Sequence, residues 1–367
     1  MVIDMASRFA AERLAPHAAQ REHDKAIEPA IIAEMGELGF LGATTPEAWG
    51  GSEIDAVTYA CLLEEIAAGD GSVSTLVSVH NSPSCAVLAM FGTEAQKDRF
   101  LRPLASGQHV GSFALTEAGA GSDASALKTR AVKRGGTYVI NGSKQFISSA
   151  SIPGSTIVFA ITDPSAGKRG MSAFVVPKDT EGYRIVRREA KLGQAASETC
   201  ALAFEDMAIP AEFRIGEEGE GYRIALSTLE SGRIGIAAQA VGMARAALDF
   251  ATAYAKDRTA FGTEIVNHQA VGFRLVDAKT KLEAARQLVL HAARLRASGQ
   301  NALEAACMAK LFASETAEAI CSAAIQTLGG YGYLADYPVE RIYRDVRVCQ
   351  IYEGTSDVQK IILQRML

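Results

Sequence analysis

One glutamate is set where a base would be useful. Glu353 lies in Gln350-Ile351-Tyr352-Glu353-Gly354-Thr355-Ser356-Asp357-Val358-Gln359, a glycine-containing turn that opens into a helix. A carboxylate on a sharp turn, partly stripped of water, has a raised pKa and can take a proton near neutrality. Ser356 with Gln359 fits a capping box for the helix. A second segment is Phe113-Ala114-Leu115-Thr116-Glu117-Ala118-Gly119-Ala120-Gly121-Ser122-Asp123, where an apolar run meets small residues and hydroxyls. Small residues let backbone N–H groups approach a ligand, and hydroxyls add directed hydrogen bonds. A third, Asn141-Gly142-Ser143-Lys144-Gln145-Phe146-Ile147-Ser148, sets an aromatic face beside a hydroxyl and suits a stacked planar cofactor. Taken singly, each has an ordinary explanation: a helix-dipole glutamate, a plain turn, a core phenylalanine.

Other chemistries are disfavoured. The six cysteines, Cys61, Cys85, Cys200, Cys307, Cys321 and Cys349, form no closely spaced pairs of the kind zinc ribbons and redox motifs need. They read as buried thiols in a reducing compartment. The six histidines lack HExxH or HxxxH spacing, so no metal site is expected. There is no GxGxxG after a strand and no GxxxxGK[ST]. A formal charge of -5 without a basic stripe argues against nucleic acid. No secretory signal and no uninterrupted apolar stretch of bilayer length is seen, so an intracellular protein is expected.

The chain of 367 residues, 48% hydrophobic, can bury a large core and is expected to divide. Residues 1–111 read as helical, with Ile31, Ile32, Met35 and Leu38 and then Leu62, Leu63, Ile66 and Ala67 at helical spacing. Residues 112–218 read as short strands: Thr137–Ile140, a hairpin turn at Asn141-Gly142, Lys144–Ser148, Thr156–Ala160, Ser172–Val176 and Ala201–Phe204. Residues 219–367 return to long helices, Gly221 to Arg258, His268 to Ser298 and Ala302 to Leu328, then shorter ones after Pro338 and from Ser356. The fold class is α+β multidomain: a helical N-terminal domain, a middle β-barrel or sandwich, and a C-terminal antiparallel helical bundle.

Together the three segments resemble the acyl-CoA dehydrogenases. Thr116-Glu117 with Ala120-Gly121-Ser122-Asp123, and Gln350 to Ser356, match the family's two signatures. Between them, in family order, stand Arg258-Thr259-Ala260-Phe261-Gly262, His268-Gln269 and Gln326-Thr327-Leu328-Gly329-Gly330-Tyr331-Gly332-Tyr333. The likeness covers essentially the whole chain, although its start is short for the family. It implies that the C-terminal helices form a four-helix bundle, with noncovalent FAD between the middle domain and the bundle, and a homotetramer built as a dimer of dimers. By resemblance Phe113, Leu115, Thr116, Gly121, Ser122, Phe146, Ile147 and Ser148 line the flavin, with Ser148 at its N5. Arg258, Phe261, Gln269, Gln326, Gly329 and Gly330 would hold the ADP half, generally that of a neighbouring subunit. Thr355 and Ser356 also match cofactor positions. Ser122, Glu230, Arg233, Tyr352, Glu353 and Gly354 match substrate contacts. Ala118 replaces a frequent proline, and Phe146 a frequent tryptophan.

The implied reaction removes two hydrogens from the α and β carbons of an acyl-CoA. Glu353 takes the α proton, and its N–H, with a flavin ribityl hydroxyl, steadies the thioester oxygen. Some members carry the base immediately before the arginine matched by Arg233; that position is Gly232, which cannot serve. Electrons would pass to electron-transfer flavoprotein, in a cytoplasmic or mitochondrial-matrix setting such as β-oxidation. Ser78–Ser82 and Ser231–Ile234 are similar to short-chain members, and Lys310–Ala313 to isobutyryl-type ones. Butyryl-CoA is the first expectation, and isobutyryl- or 2-methylbutyryl-CoA the second. Two other readings stay open: an oxygen-using oxidase or monooxygenase on the same fold, and a non-catalytic acyl-CoA- or flavin-binding scaffold.

Overall fold

In the computed structural model, which describes residues 1–367, a sheet is held between two sets of helices. The N-terminal set includes α1 (Pro29–Glu37), α2 (Ala56–Gly69) and α3 (Gly71–Val79). Asp55 caps α2, accepting from Val57 and Thr58 N–H, and Asp70 caps α3 through Ser72 and Val73.

The middle region is one eight-stranded sheet. Its strands are β1 (Ser112–Ala114), β2 (Arg130–Arg134), β3 (Thr137–Ser148), β4 (Ser155–Ile161), β5 (Met171–Pro177), β6 (Tyr183–Arg188), β7 (Thr199–Pro210) and β8 (Arg214–Ile215). They lie in the order β6-β7-β3-β2-β4-β5-β8, with β1 parallel to β4. The central β4 and β5 are buried over six consecutive residues each, as expected of strands covered on both faces.

The hairpin expected at Asn141-Gly142 is not there. Strand β3 runs straight through those residues, and the β2–β3 turn is Gly135-Gly136. Asn141-Gly142 forms a bulge against β7. The Asn141 amide donates to Asp206 Oδ1 (3.1 Å) and accepts from Asp206 N–H (2.8 Å). Gly142 has φ 150°, and a Cβ there would lie 2.5 Å from Thr129 Oγ1. The signal marked a backbone irregularity whose residues were already committed to a neighbouring strand.

The C-terminal helices are α4 (Gly221–Asp257), α5 (Gln269–Ala297), α6 (Leu303–Leu328), α7 (Pro338–Val346) and α8 (Ser356–Gln364). Helix α4 is 37 residues long, ~55 Å, and is the axis of the molecule. One 18-residue window in it has a mean hydropathy high enough to cross a membrane; 78% of that window is buried inside the protein, so it is a core helix. One core joins α1–α3 to α4, α5 and α6, through Leu62, Leu63, Ile66, Ile234, Ala237 and Val241. A second fills the sheet, and a third lies at the far end of the bundle. Helices α2 and α4 cross so closely that a Cβ on Gly242 would meet Glu64 O at 2.1 Å.

Candidate active site

Glu353 sits between the 3-10 turn Arg347–Gln350 and α8. Its φ is 56°, a left-handed conformation that L-residues seldom adopt, and Gly354 follows at 90°. The helix is capped by Thr355, whose hydroxyl accepts from Val358 N–H at 3.2 Å. The expected Ser356–Gln359 box is therefore off by one residue. Gln359 instead turns back, its amide donating to the carbonyls of Gly354 (2.9 Å) and Glu353 (3.4 Å). Ser356 Oγ is left buried without a partner.

The Glu353 residue is part-exposed, but its Oε2 is buried and makes no hydrogen bond. Burial pushes its carboxyl up to about 7, against the opposing pull of Arg233 and Lys310. Gly232 on α4 makes room for it: a Cβ there would stand 2.7 Å from Oε2. Arg233, next along α4, is buried with Nε unpaired. Glu230 is turned away into an ion pair with Arg296 at 3.1 Å, so of the two α4 residues expected to meet substrate only Arg233 borders the carboxylate. Tyr352 OH donates to Gln239 Oε1 (2.5 Å), the Gln239 amide donates to Thr75 Oγ1 (2.6 Å), and Thr75 donates to Gln194 Oε1 (2.6 Å). This chain ties the turn to α4, α3 and the β6–β7 loop. The Gln194 N–H also donates to Asp345 Oδ1, fixing that loop to α7.

The two other segments are laced together. Gln145 N–H donates to Thr116 O at 2.9 Å. Lys144 is fully buried and donates to Leu115 O (3.0 Å) and Glu117 (2.9 Å). Glu117 also accepts from the N–H groups of Lys128 and Thr129, closing the loop. A register shift between Lys144 and Ile147 re-aims Phe146, which has φ 61° and is 62% exposed. Thr116, Phe113 and Ser148 are half-buried, and Gly121 and Ser122 exposed. Leu115 and Ile147 are buried in the sheet core, so they can offer a ligand little but backbone. Ser148 pairs with Thr199, five residues or ~17 Å of chain from Gln194, so this face neighbours the Tyr352–Glu353 turn.

The remaining predicted residues gather elsewhere. Arg258, Gly329 and Gly330 line a cavity of about 350 Å³ with Tyr254 and Tyr331, and the Arg258 guanidinium lies 5.8 Å from the Tyr331 ring centre. Phe261 and Gly262 form a two-residue hairpin tip, both at positive φ, with Phe261 96% exposed. Gln269 and Gln326 are exposed and do not line the cavity. From Gly232 to Arg258 is twenty-six residues of α4, ~39 Å. One dinucleotide cannot reach both ends.

A further cavity, about 500 Å³, opens at the start of α4 between Lys168, Arg169, Tyr222, Arg223, Leu226 and Ser227, with Lys168 Nζ 5.1 Å above the Tyr222 ring. Sequence reading missed it because its cations come from two elements. It named Lys310 only within a family-like segment and gave it no place beside Glu353, although a lone lysine in Ala305-Ala306-Cys307-Met308-Ala309-Lys310 stands out in an apolar run.

Comparison with known proteins matches the whole of this architecture. The sequence profile described as "Acyl-CoA dehydrogenase, N-terminal domain" matches residues 1–108, "middle domain" 112–207 and "C-terminal domain" 219–367. The chain belongs to the acyl-CoA dehydrogenase family. It is 44% identical over 367 residues to an acyl-CoA dehydrogenase of Bacillus subtilis (strain 168), covering 100% of this chain and 97% of the relative. The solved butyryl-CoA dehydrogenase of Megasphaera elsdenii superimposes with a TM-score of 0.97 at 41% identity, over 100% of this chain and 96% of that one. A structure described as an electron transferring flavoprotein of Acidaminococcus fermentans contains a chain with TM-score 0.98 and 45% identity, over 100% and 96%. As an acyl-CoA dehydrogenase family member the protein is an oxidoreductase, and the family's cofactor is FAD. Its residues fit that group. An exposed aromatic is held on strained backbone at Phe146, and Ser356 Oγ is buried and unpaired.

Proposed function

We propose that this protein is a short-chain acyl-CoA dehydrogenase, converting a saturated acyl-CoA to the trans-2-enoyl-CoA with Glu353 as base. One observation carries the assignment of the base: a buried, unpaired carboxylate oxygen on a left-handed turn, lodged against a glycine. Half-ionised near pH 7, it takes the α proton, while Arg233 and Lys310 offset the negative charge. The Glu353 N–H makes no hydrogen bond within the chain and is free to donate to the thioester oxygen, where charge develops. FAD, when bound, supplies the two-electron acceptor for the β hydrogen. Phe113, Thr116, Gly121, Ser122, Phe146 and Ser148, with the backbone of Leu115 and Ile147, would hold its ring; Thr355 and Ser356 would meet it from the turn. Ser122, Arg233, Tyr352 and Gly354 would border the thioester.

The basic cavity supports a CoA substrate. Lys168, Arg169 and Arg223 around Tyr222 suit a phosphorylated adenosine. Tyr222 and Gly232 are ten residues or ~15 Å apart on α4, a span an extended pantetheine arm bridges. Electron-transfer flavoprotein is the acceptor in this reading, supported by the 45% likeness to a chain in the flavoprotein structure. The ADP half of FAD would be held by Arg258, Phe261, Gln269, Gln326, Gly329 and Gly330 of another copy, because ~39 Å of helix separates them from Glu353. A homotetramer satisfies this, and in this reading the chain divides at 1–111, 112–218 and 219–367. Six free, buried cysteines suit a reducing cytoplasm or mitochondrial matrix.

The test is anaerobic titration with a panel of acyl-CoA thioesters while the flavin absorbance is followed. Bleaching by butyryl-CoA, with slow reoxidation in air, is expected. A yellow protein that no thioester bleaches would overturn the reading.

A further inference from the structure

Four lysines in this protein are partly or wholly enclosed with their amines on backbone carbonyls, Lys191 on Ser197 O and the Thr199 hydroxyl among them, and one differs from the others. Lys178 donates to three, those of Val110, Ser149 and Ile152. Lys144 has Leu115 O and the Glu117 carboxylate at 2.9 Å. Lys310, in mid-α6, is fully buried and donates to a single carbonyl, that of Gly354. A buried ammonium with one neutral acceptor is costly unless a nearby charge compensates it.

The groups facing Lys310 are few. They are Glu353 on the turn, Arg233 on α4, Cys307 on α6 itself and Cys349 in the 3-10 turn. Both thiols are neutral at pH 7: burial pushes Cys349 up to about 12 and raises Cys307. Arg233 repels it. Glu353 is therefore its one source of negative charge, and the charged groups facing Glu353 are Arg233 and Lys310. Of these two cations, only Lys310 also grips the turn. Burial lowers the Lys310 amine to about 8, opposed by the Glu353 carboxylate, so it remains largely protonated at neutral pH.

We propose that Lys310 is a positioning residue for the base: from α6 it clamps the Gly354 carbonyl and, beside Arg233, adds its positive charge to the field at the Glu353 carboxylate. The inference rests on Glu353 being the base. In the same arrangement, Gln359 holds the turn from the α8 side, and Lys310 couples that hold to charge.

The experiment reads the base without the redox step. Acetyl-CoA has α hydrogens and no β carbon, so deuterium wash-in from D2O on the FAD-loaded protein reports proton removal alone. Wild type, Lys310→Met, Lys310→Gln, Lys310→Arg and Glu353→Gln are compared across pH, with FAD content and melting temperature as controls. In Lys310→Met and Lys310→Gln the midpoint of the exchange profile is expected to rise by about one unit, with exchange at pH 7 down about fivefold. Lys310→Arg is expected to restore the midpoint. If Lys310→Met does not fold, the Gln and Arg variants decide. A Lys310→Gln profile lying on the wild-type curve overturns the inference while leaving the base in place. Wild-type exchange no faster than Glu353→Gln overturns the base assignment, and the inference with it.

Discussion

The two ends of helix α4 carry different kinds of site. Near Gly232 the helix touches a buried carboxylate flanked by two buried cations, and every neighbour is supplied by the same chain. Near Arg258 it ends among exposed groups: Phe261 at 96%, Tyr333 at 86%, and an open cavity floored by Gly329 and Gly330. The first site changes pKa values and holds strained backbone. The second offers an aromatic surface and one cation on open ground. Proton chemistry demands desolvation within one rigid unit, whereas gripping the remote half of a cofactor can be shared between subunits.

The sharpest break comes at the buried end. Glu353→Gln is expected to lower turnover on the order of 10²–10⁴-fold while the protein stays yellow, measured as single-turnover bleaching and FAD content. A variant that turns over normally would remove the distinction between the ends.

Mixing subunits tests the exposed end. Glu353→Gln and Arg258→Glu homomers should both be nearly inactive. Co-expressed, they should regain about a quarter of wild-type activity, because about half of the dimers are mixed and each of those keeps one intact composite site of its two. No recovery would mean that both ends serve the same chain.

Crowding the base should have a middling effect. Gly232→Ala places a methyl 2.7 Å from Oε2, and kcat is expected to fall about tenfold with FAD affinity unchanged. Spectroscopic titration with FAD separates the two.

The smallest effect is on stability. Glu353 has a folded pKa of about 7, raised from 4.5, so its contribution to stability is fully present below pH 4.5 and lost as pH rises through 7. Glu353→Gln should melt about 2 °C above wild type at pH 8, with the gap narrowing toward pH 5 in calorimetry.

Helix extents were legible because α4, α5 and α6 repeat apolar residues over many turns: Gly221 to Arg258 read from sequence is Gly221–Asp257 in the fold. The candidate base stood out because Glu353 falls in Gln350–Ser356, a run that matches a family signature. Residues that act across long separations were not. Thr75, Gln194 and Gln239 meet Tyr352 from three different parts of the chain, and none has a local pattern. Asn141-Gly142 and Ser356–Gln359 misled for a related reason. Each is a good local signal, overruled by Asp206 on another strand in one case and by the neighbouring Thr355 hydroxyl in the other.

The glycines of α4 bear on engineering. Replacing helix-interior glycine with alanine ordinarily raises thermal tolerance, by up to about 1 kcal/mol per site. In α4 an added methyl would strike Glu353 from Gly232, Glu64 O from Gly242, and Leu63 and Ser78 at 3.1 Å from Gly235. A thermostabilisation campaign guided by helix propensity would select these positions early and lose the fit of the base and of the two packed helices. Variants hardened for industrial use should keep these three glycines and seek gains at open turns such as Gly136, where an added methyl meets nothing within 4 Å.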